Sequence, residues 1–244
     1  MISTNQKKFV SSLKQKKFRT ERGLFIVEGV KLVQELLRSN YQISAIYATK
    51  SWMDNHQEVD SANILEVSEK ELQRISSLKT PNEVLAVVEQ KAPQLIEVSS
   101  QLNIAIDKIQ DPGNLGTIIR TADWFGIQNI ICSEDSVDLY NPKVLQATMG
   151  SFFRMNIVYT DLAKFFTKHK ELTVYGALLD GENVYQKELN STGAVLLMGN
   201  ESKGISEGLI PFVTEKVLIP NFGKAESLNV ATATAVLCSE FVRK

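Results

Sequence analysis

Three segments in the second half of this 244-residue chain share one layout: an apolar strand, a polar or glycine-bearing turn, then a helix. They are 104-IAIDKIQDPGNLGTIIRTADWFGI-127, 195-VLLMGNESKGIS-206 and 217-VLIPNFGKAESLNVATATAVL-237. Strands this continuously apolar, alternating with helices, require a mostly parallel sheet with helices on both faces. Ligands of such sheets bind in the crevice beyond the carboxyl ends of the strands, so all three turns fall at the edge where chemistry is expected.

The rest of the chain fits around that core. Strands are expected at Leu102–Ile106, Asn129–Cys132, Met155–Tyr159, Val174–Leu178, Ala194–Met198 and Val217–Ile219. Helices are expected at Asn114–Phe125, Lys143–Met149, Leu162–Lys168 and Ser227–Val242. In the first half, residues 5–18 place Phe9, Val10 and Leu13 at helical spacing among lysines. Leu24–Val27 then leads through Glu28-Gly29 into a helix with Val30, Val33, Leu36 and Leu37 on one side. Ile43–Tyr47, Ile64–Val67 and Val84–Val88 read as strands, and Ser68 with Glu71 forms a capping box opening a helix over Glu69–Ile75. Pro93 and two serines interrupt the strong strands before Leu102. The expected organisation is a smaller α/β domain over residues 1–90, a linker over 91–101 and an α/β domain over 102–244.

A chain of this size buries enough surface to fold without disulfides or a structural metal. Cys132 and Cys238 have no CxxC spacing and read as buried apolar residues in a reducing compartment. No stretch approaches the ~20 apolar residues of a membrane span and no signal core opens the chain, so the cytoplasm is the default location. The formal net charge is -1, yet Lys7, Lys8, Lys14, Lys16, Lys17, Arg19 and Arg22 face only Glu21 within the first 22 residues. A basic arm on an acidic body points to a polyanion contacted locally, or else to a solvated lysine-rich helix.

The turns exclude several chemistries. There is no GxGxxG fingerprint, since Gly113 and Gly116 lack a third glycine, and no GxSxG elbow. The Gly199–Gly204 turn resembles a P-loop, but Ile205 stands where the phosphate-binding lysine belongs, which disfavours a nucleotide hydrolase. His56 and His169 lie outside the three turns. A site without histidine, reactive cysteine or metal ligands works by positioning and electrostatics.

The same segments resemble the three signature motifs of the SpoU (TrmH) family of RNA ribose 2′-O-methyltransferases, in the knotted SPOUT class. The likeness rests on Asn114-Leu115-Gly116, Arg120 and Ala122, then Gly199, Glu201 and Gly204, then Ile219-Pro220 and Ser227-Leu228-Asn229-Val230. Ala231 departs from the serine that many relatives carry. The first half, anchored by 24-LFIVEGVKLVQELL-37, resembles the family's RNA-gripping N-terminal domain. The resemblance implies a deep trefoil knot, a homodimer, S-adenosylmethionine as cofactor, no metal, and an RNA substrate, ribosomal before transfer RNA. A transfer-RNA enzyme and a non-catalytic RNA-binding protein of the same fold are the alternatives.

It also implies roles. Gly199, Asn200, Ile219, Pro220 and Leu228 would line the cofactor pocket, largely through backbone. Arg120, Asn114, Glu201, Ser227 and Asn229 would form the catalytic set, with Arg120 acting on the ribose 2′-hydroxyl. A guanidinium is nearly always charged, so Arg120 suits phosphate binding and stabilisation of a developing alkoxide better than general-base work. Each residue also has a plainer reading: a surface pair of Arg120 with Asp123, helix capping by Asn114 and Ser227, and a helix-start charge for Glu201. RNA contact is expected from the basic arm, extended toward the site by Lys108 and Arg154.

Overall fold

The computed structural model describes residues 2–57, 59, 64–92, 94 and 97–243. In chain order the elements are α1 (Thr4–Ser12), α2 (Lys16–Arg22), β1 (Leu24–Glu28), α3 (Val30–Leu37), β2 (Ile43–Ala48), α4 (Lys50–Asn55), β3 (Ile64–Glu66), α5 (Glu69–Ile75) and β4 (Val84–Glu89). There follow β5 (Leu102–Ile106), α6 (Pro112–Trp124), β6 (Asn129–Ser133), α7 (Pro142–Thr148), β7 (Asn156–Thr160), α8 (Leu162–Lys168), β8 (Thr173–Asn183), β9 (Ala194–Met198), β10 (Glu215–Leu218) and α9 (Val230–Val242). Two compact units result: Met1–Ala92 with Asp138–Phe153, and Pro93–Val137 with Arg154–Lys244. Pro93, Leu95 and Ile96 of the expected linker lie outside the described residues. No helix among the described residues is long and apolar enough to cross a membrane.

In the first unit the sheet order is β1-β4-β2-β3, antiparallel except for the parallel β2–β3 pair. The basic helix expected over residues 5–18 is two helices. α1 opens with a Ser3/Gln6 capping box and ends at Leu13, and α2 stops at Gly23, whose φ of +63° suits glycine. Val10 and Leu13 are buried with Tyr47, Leu72 and Ile75. This folding sorts the arm's cations. Lys7 pairs with Glu71 at 3.1 Å and Lys14 donates to the Ser76 carbonyl at 2.6 Å. Arg19 is buried and donates to the Leu13 and Lys14 carbonyls and to Asp138. These three serve the fold, a correction to the expectation that the whole arm meets a polyanion, while Lys8, Lys16, Lys17 and Arg22 are exposed.

Residues 138–153, read from sequence as part of the second domain, cluster with the first unit. Aromatic packing is the reason: Phe25 meets Tyr140 at 4.5 Å and Phe152 at 6.1 Å between ring centroids. The Gln146 amide also donates to the Glu28 carbonyl at 2.8 Å.

The second unit holds a sheet ordered β10-β8-β9-β5-β6-β7 with every pairing parallel. β5, β6 and β9 are buried along their whole length. At their amino ends an asparagine ladder crosses the sheet: Asn156 donates to Asn129 at 3.1 Å and Asn129 to Asn103 at 2.9 Å. The Asn103 amide donates to the carbonyls of Val98 and Ala194 at 3.0 and 3.1 Å. β8 runs well past the expected Val174–Leu178. Glu215 and Lys216 face Tyr175 and Gly176, but Val217 and Leu218 face Glu182 and Asn183, so residues 177–181 bulge from the ladder. Gly181 permits this, since a Cβ there would lie 2.6 Å from the Val217 backbone carbon. α6 packs against α9, with Gly116, Ala122, Ala231 and Thr234 buried.

Candidate active site

Because the strands run parallel, the carboxyl ends of β5, β9 and β10 share one edge, and the three turns leave from it. After β5 the chain reaches Asp111, whose side chain accepts from the Asn114 amide at 2.8 Å and caps α6, with Pro112 in the first helical position. The expectation that Asn114 caps this helix is therefore corrected: Asn114 lies within the first turn and its side chain is free for other work. At α9 the cap is Asn229, whose Oδ1 accepts from Ala231 N at 3.0 Å and Thr232 N at 3.2 Å. Ser227, expected to cap, lies exposed ahead of the helix and makes no side-chain hydrogen bond among the described residues.

One hydrogen-bond chain joins the three segments. Asn229 Nδ2 donates to Asn114 Oδ1 at 2.9 Å, and Asn114 Nδ2 donates to Glu201 Oε1 at 2.9 Å. Glu201 Oε2 accepts from Asn200 Nδ2 at 3.2 Å. The direction is forced. A carboxylate only accepts, so Asn114 turns its NH2 to Glu201 and its oxygen to Asn229. Asn229 must answer with its NH2, which leaves its oxygen for the α9 amides. Glu201 thus holds Asn114 rather than starting a helix, since the next helical turn begins only at Glu207.

The Gly199–Ser206 loop doubles back tightly. Asn200 and Gly204 exchange backbone hydrogen bonds, both 2.9 Å, and a Cβ on Gly199 would lie 2.2 Å from the Gly204 carbonyl carbon. Gly204 takes φ +68°. Asn200 Oδ1 accepts from Ser202 N and Lys203 N at 3.0 and 3.2 Å, and its Nδ2 also donates to the Lys108 carbonyl at 2.7 Å. The backbone N–H groups of residues 200, 202, 203 and 204 are all consumed within the loop. A P-loop needs such groups pointing at phosphate, so the resemblance to one ends at its glycines.

Arg120 lies on α6 two turns beyond Asn114, exposed and without a hydrogen bond or ion pair among the described residues. Its surface-pair alternative fails, because Asp123 takes Arg154 at 2.7 Å. Arg154 is thereby drawn into the fold, and Lys108 reaches Asp135 only at 3.9 Å. Ile219 and Pro220 are half-buried and Leu228 is half-exposed. The structure brings Asn114, Asn200, Glu201 and Asn229 into contact; Arg120 and Ser227 stay outside that chain. Burial pushes both thiols, Cys132 and Cys238, up to about 12, so neither supplies a thiolate. His56 stacks on Trp52 and His169 packs tilted against Phe165, both outside these turns. Among the described residues no His/Cys/Asp/Glu group is placed to hold a metal. The sequence reading marks Lys108 only as an RNA-contacting cation and does not single out Asp107 or Asp111, whose signal is the DKIQDP run at the end of β5.

An open parallel sheet with a polar site built from three carboxyl-edge turns defines an α/β enzyme class whose chemistry lies in loops. Comparison with known proteins gives the particular family. Residues 101–239 match the SpoU rRNA methylase family and residues 5–86 the MRM3-like substrate binding domain. The 23S rRNA (guanosine(2553)-2′-O)-methyltransferase RlmP of Bacillus subtilis is 32% identical over 96% of this chain and 94% of its own. Among solved structures, a TrmH-family RNA methyltransferase from Porphyromonas gingivalis superposes with TM-score 0.90 at 38% identity, covering 99% of this chain and 98% of that one. An AdoMet-bound rRNA methyltransferase from Sinorhizobium meliloti gives 0.87 at 31% identity, covering 99% and 96%. The chain belongs to the SpoU rRNA methylase family, with the α/β fold of SPOUT methyltransferases.

Proposed function

We propose that this protein transfers a methyl group from S-adenosylmethionine to a ribose 2′-hydroxyl of ribosomal RNA. The observation that carries the reading is the Asn229–Asn114–Glu201 chain, which ties the three motif segments together at one sheet edge. The residues fit the cofactor. Gly199, Ile219 and Leu228 follow β9 and β10 and precede α9 at that same edge, and half-exposed Ile219, Pro220 and Leu228 offer apolar surface to an adenine. The exposed Glu201 carboxylate suits a neighbouring cation. S-adenosylmethionine would supply an electrophilic methyl on sulfur, and in-line displacement by the ribose oxygen requires alignment and exclusion of water. The new O–CH3 bond would form as the S–CH3 bond breaks, S-adenosylhomocysteine leaving as the neutral thioether and the hydroxyl proton passing to solvent water, while unpaired Arg120 would hold an RNA phosphate through its N–H edge and stabilise the 2′-oxygen.

The RNA-facing cations are Lys8, Lys16, Lys17 and Arg22, whose guanidinium lies 4.7 Å from the Phe9 ring centroid. The reading includes the deep trefoil knot of the class, a cytoplasmic location with ribosomal RNA, and a homodimer. Trp124 on α6, 84% exposed, is an apolar residue for such an interface to cover. The test is labelled methyl transfer to ribosomal RNA, with alkali-resistant sites mapped in the product. Arg120→Ala should lower the rate by about 100-fold or more while melting unchanged. Equal labelling by both proteins refutes the role of Arg120, and no labelling by the wild type refutes the function.

A further inference from the structure

The loop that bears Glu201 is held from outside at two points, and both holds come from consecutive residues at the end of β5. At one end, Asn200 Nδ2 donates to the Lys108 carbonyl at 2.7 Å. At the other, Ser206 N donates to the Asp107 carboxylate at 2.7 Å. Asp107 is itself buried and continues the ladder, donating its N–H to the Met198 carbonyl at 2.9 Å, immediately before Gly199. Lys108 has φ +55°, a left-handed conformation that a side-chain-bearing residue rarely takes. Its N–H is tied to Ser133 Oγ at 2.8 Å, and its carbonyl is aimed at Asn200. Strained backbone persists where the surroundings over-determine it.

We infer that Asp107 and Lys108 are positioning residues: a two-point clamp fixing the Gly199–Ser206 loop in its cofactor-binding shape before the cofactor arrives. Asp107 acts through its carboxylate and Lys108 through its backbone. Neither touches the reacting atoms. Between the two holds the loop carries Glu201, so the clamp also sets where that carboxylate meets Asn114. The charge-assisted bond to Ser206 N is the stronger hold, because removing its acceptor leaves a half-buried N–H unpaired. This inference rests on the proposed cofactor.

Binding of S-adenosylhomocysteine to the full chain, by titration calorimetry, reads the clamp directly. Asp107→Ala should weaken binding about 10-fold, about 1.4 kcal/mol. Asp107→Asn, which keeps an acceptor oxygen, should restore binding to within about twofold. Lys108→Gly, at ease at this φ, should bind like wild type, whereas β-branched Lys108→Val should weaken binding several-fold. In ligand-free protein, amide hydrogen exchange over residues 199–206 should speed up in Asp107→Ala and Lys108→Val alone. Wild-type affinity and exchange in Asp107→Ala overturn the clamp and leave the function standing; equal loss in Asp107→Ala and Asp107→Asn also overturns it. A wild type that does not bind S-adenosylhomocysteine overturns the cofactor reading. If Asp107→Ala fails to fold, the Lys108 pair decides: similar affinity for Gly and Val overturns the backbone role.

Discussion

Asn229 does two jobs with one side chain, and a single substitution separates them. Its oxygen caps α9 through two backbone amides and its NH2 donates to Asn114. Asn229→Ala removes both. Loss of a cap costs about 1 kcal/mol and loss of an exposed hydrogen bond about 0.5–1 kcal/mol, together about 1.5–2 kcal/mol. At roughly 2–4 °C per kcal/mol for a chain of this size, the melting temperature should fall about 3–8 °C. Asn229→Asp keeps the capping oxygen and places negative charge favourably at a helix start, so melting should shift by less than about 2 °C. It nevertheless breaks the chain whichever way Asn114 turns: a carboxylate at 229 opposes the Asn114 oxygen, and a flipped Asn114 opposes its oxygen to Glu201. One hydrogen bond is lost and a repulsion gained, so kcat/KM for RNA methylation should fall about 10-fold or more. Differential scanning fluorimetry and labelled-methyl transfer read the two effects. Wild-type kcat/KM in Asn229→Asp would refute the argument that the chain organises the site.

Gly199→Ala drives a Cβ to 2.2 Å from backbone, so S-adenosylhomocysteine affinity measured by calorimetry should drop more than about 10-fold. The arm's cations should divide: Lys16→Ala with Lys17→Ala should flatten the salt dependence of RNA binding by about 1.4 in log–log slope, with melting unchanged. Arg19→Ala instead strands Asp138 and should cost about 3–5 kcal/mol in chemical denaturation. The Ser68 backbone N–H, then Lys7, hold the Glu71 carboxylate down from 4.5 to about 2. Folding lowers this pKa, so its stabilisation is full above pH 4.5 and is lost as pH falls toward 2. Melting curves across that window should show a shallower acid limb in Glu71→Gln.

What could be read in the sequence was what local pattern decides. β5 and β9 carry unbroken apolar runs, and their bounds emerge from residue type alone. The Ser68/Glu71 box fixes the start of α5 because both halves of the cap lie within four residues. Contacts distant in sequence were not legible. Residues 179–183 are LDGEN, without strand pattern, and extend β8 only because Glu182 and Asn183 pair with β10 after the bulge. The segment around Tyr140 and Phe152 needs Phe25 to assign it to the first unit. At the site, the motif residues Asn114, Glu201 and Asn229 were marked, but the caps were misplaced because several capping-type residues stand close together: Asp111 with Asn114, and Ser227 with Asn229. Which one caps depends on what else each side chain reaches, and the partner across the loop decides it.

The asparagine ladder sits at the opposite end of the sheet from these turns, yet it bears on them. Parallel strands with uniformly greasy faces could slide past one another by two residues and still bury the same kinds of side chain. Asn103, Asn129 and Asn156 make that slide costly, because their amides find one another in a single alignment. A sheet pinned at its far end delivers its loops to the near end at fixed heights. New specificities can then arise by exchanging turns while the pins stay put.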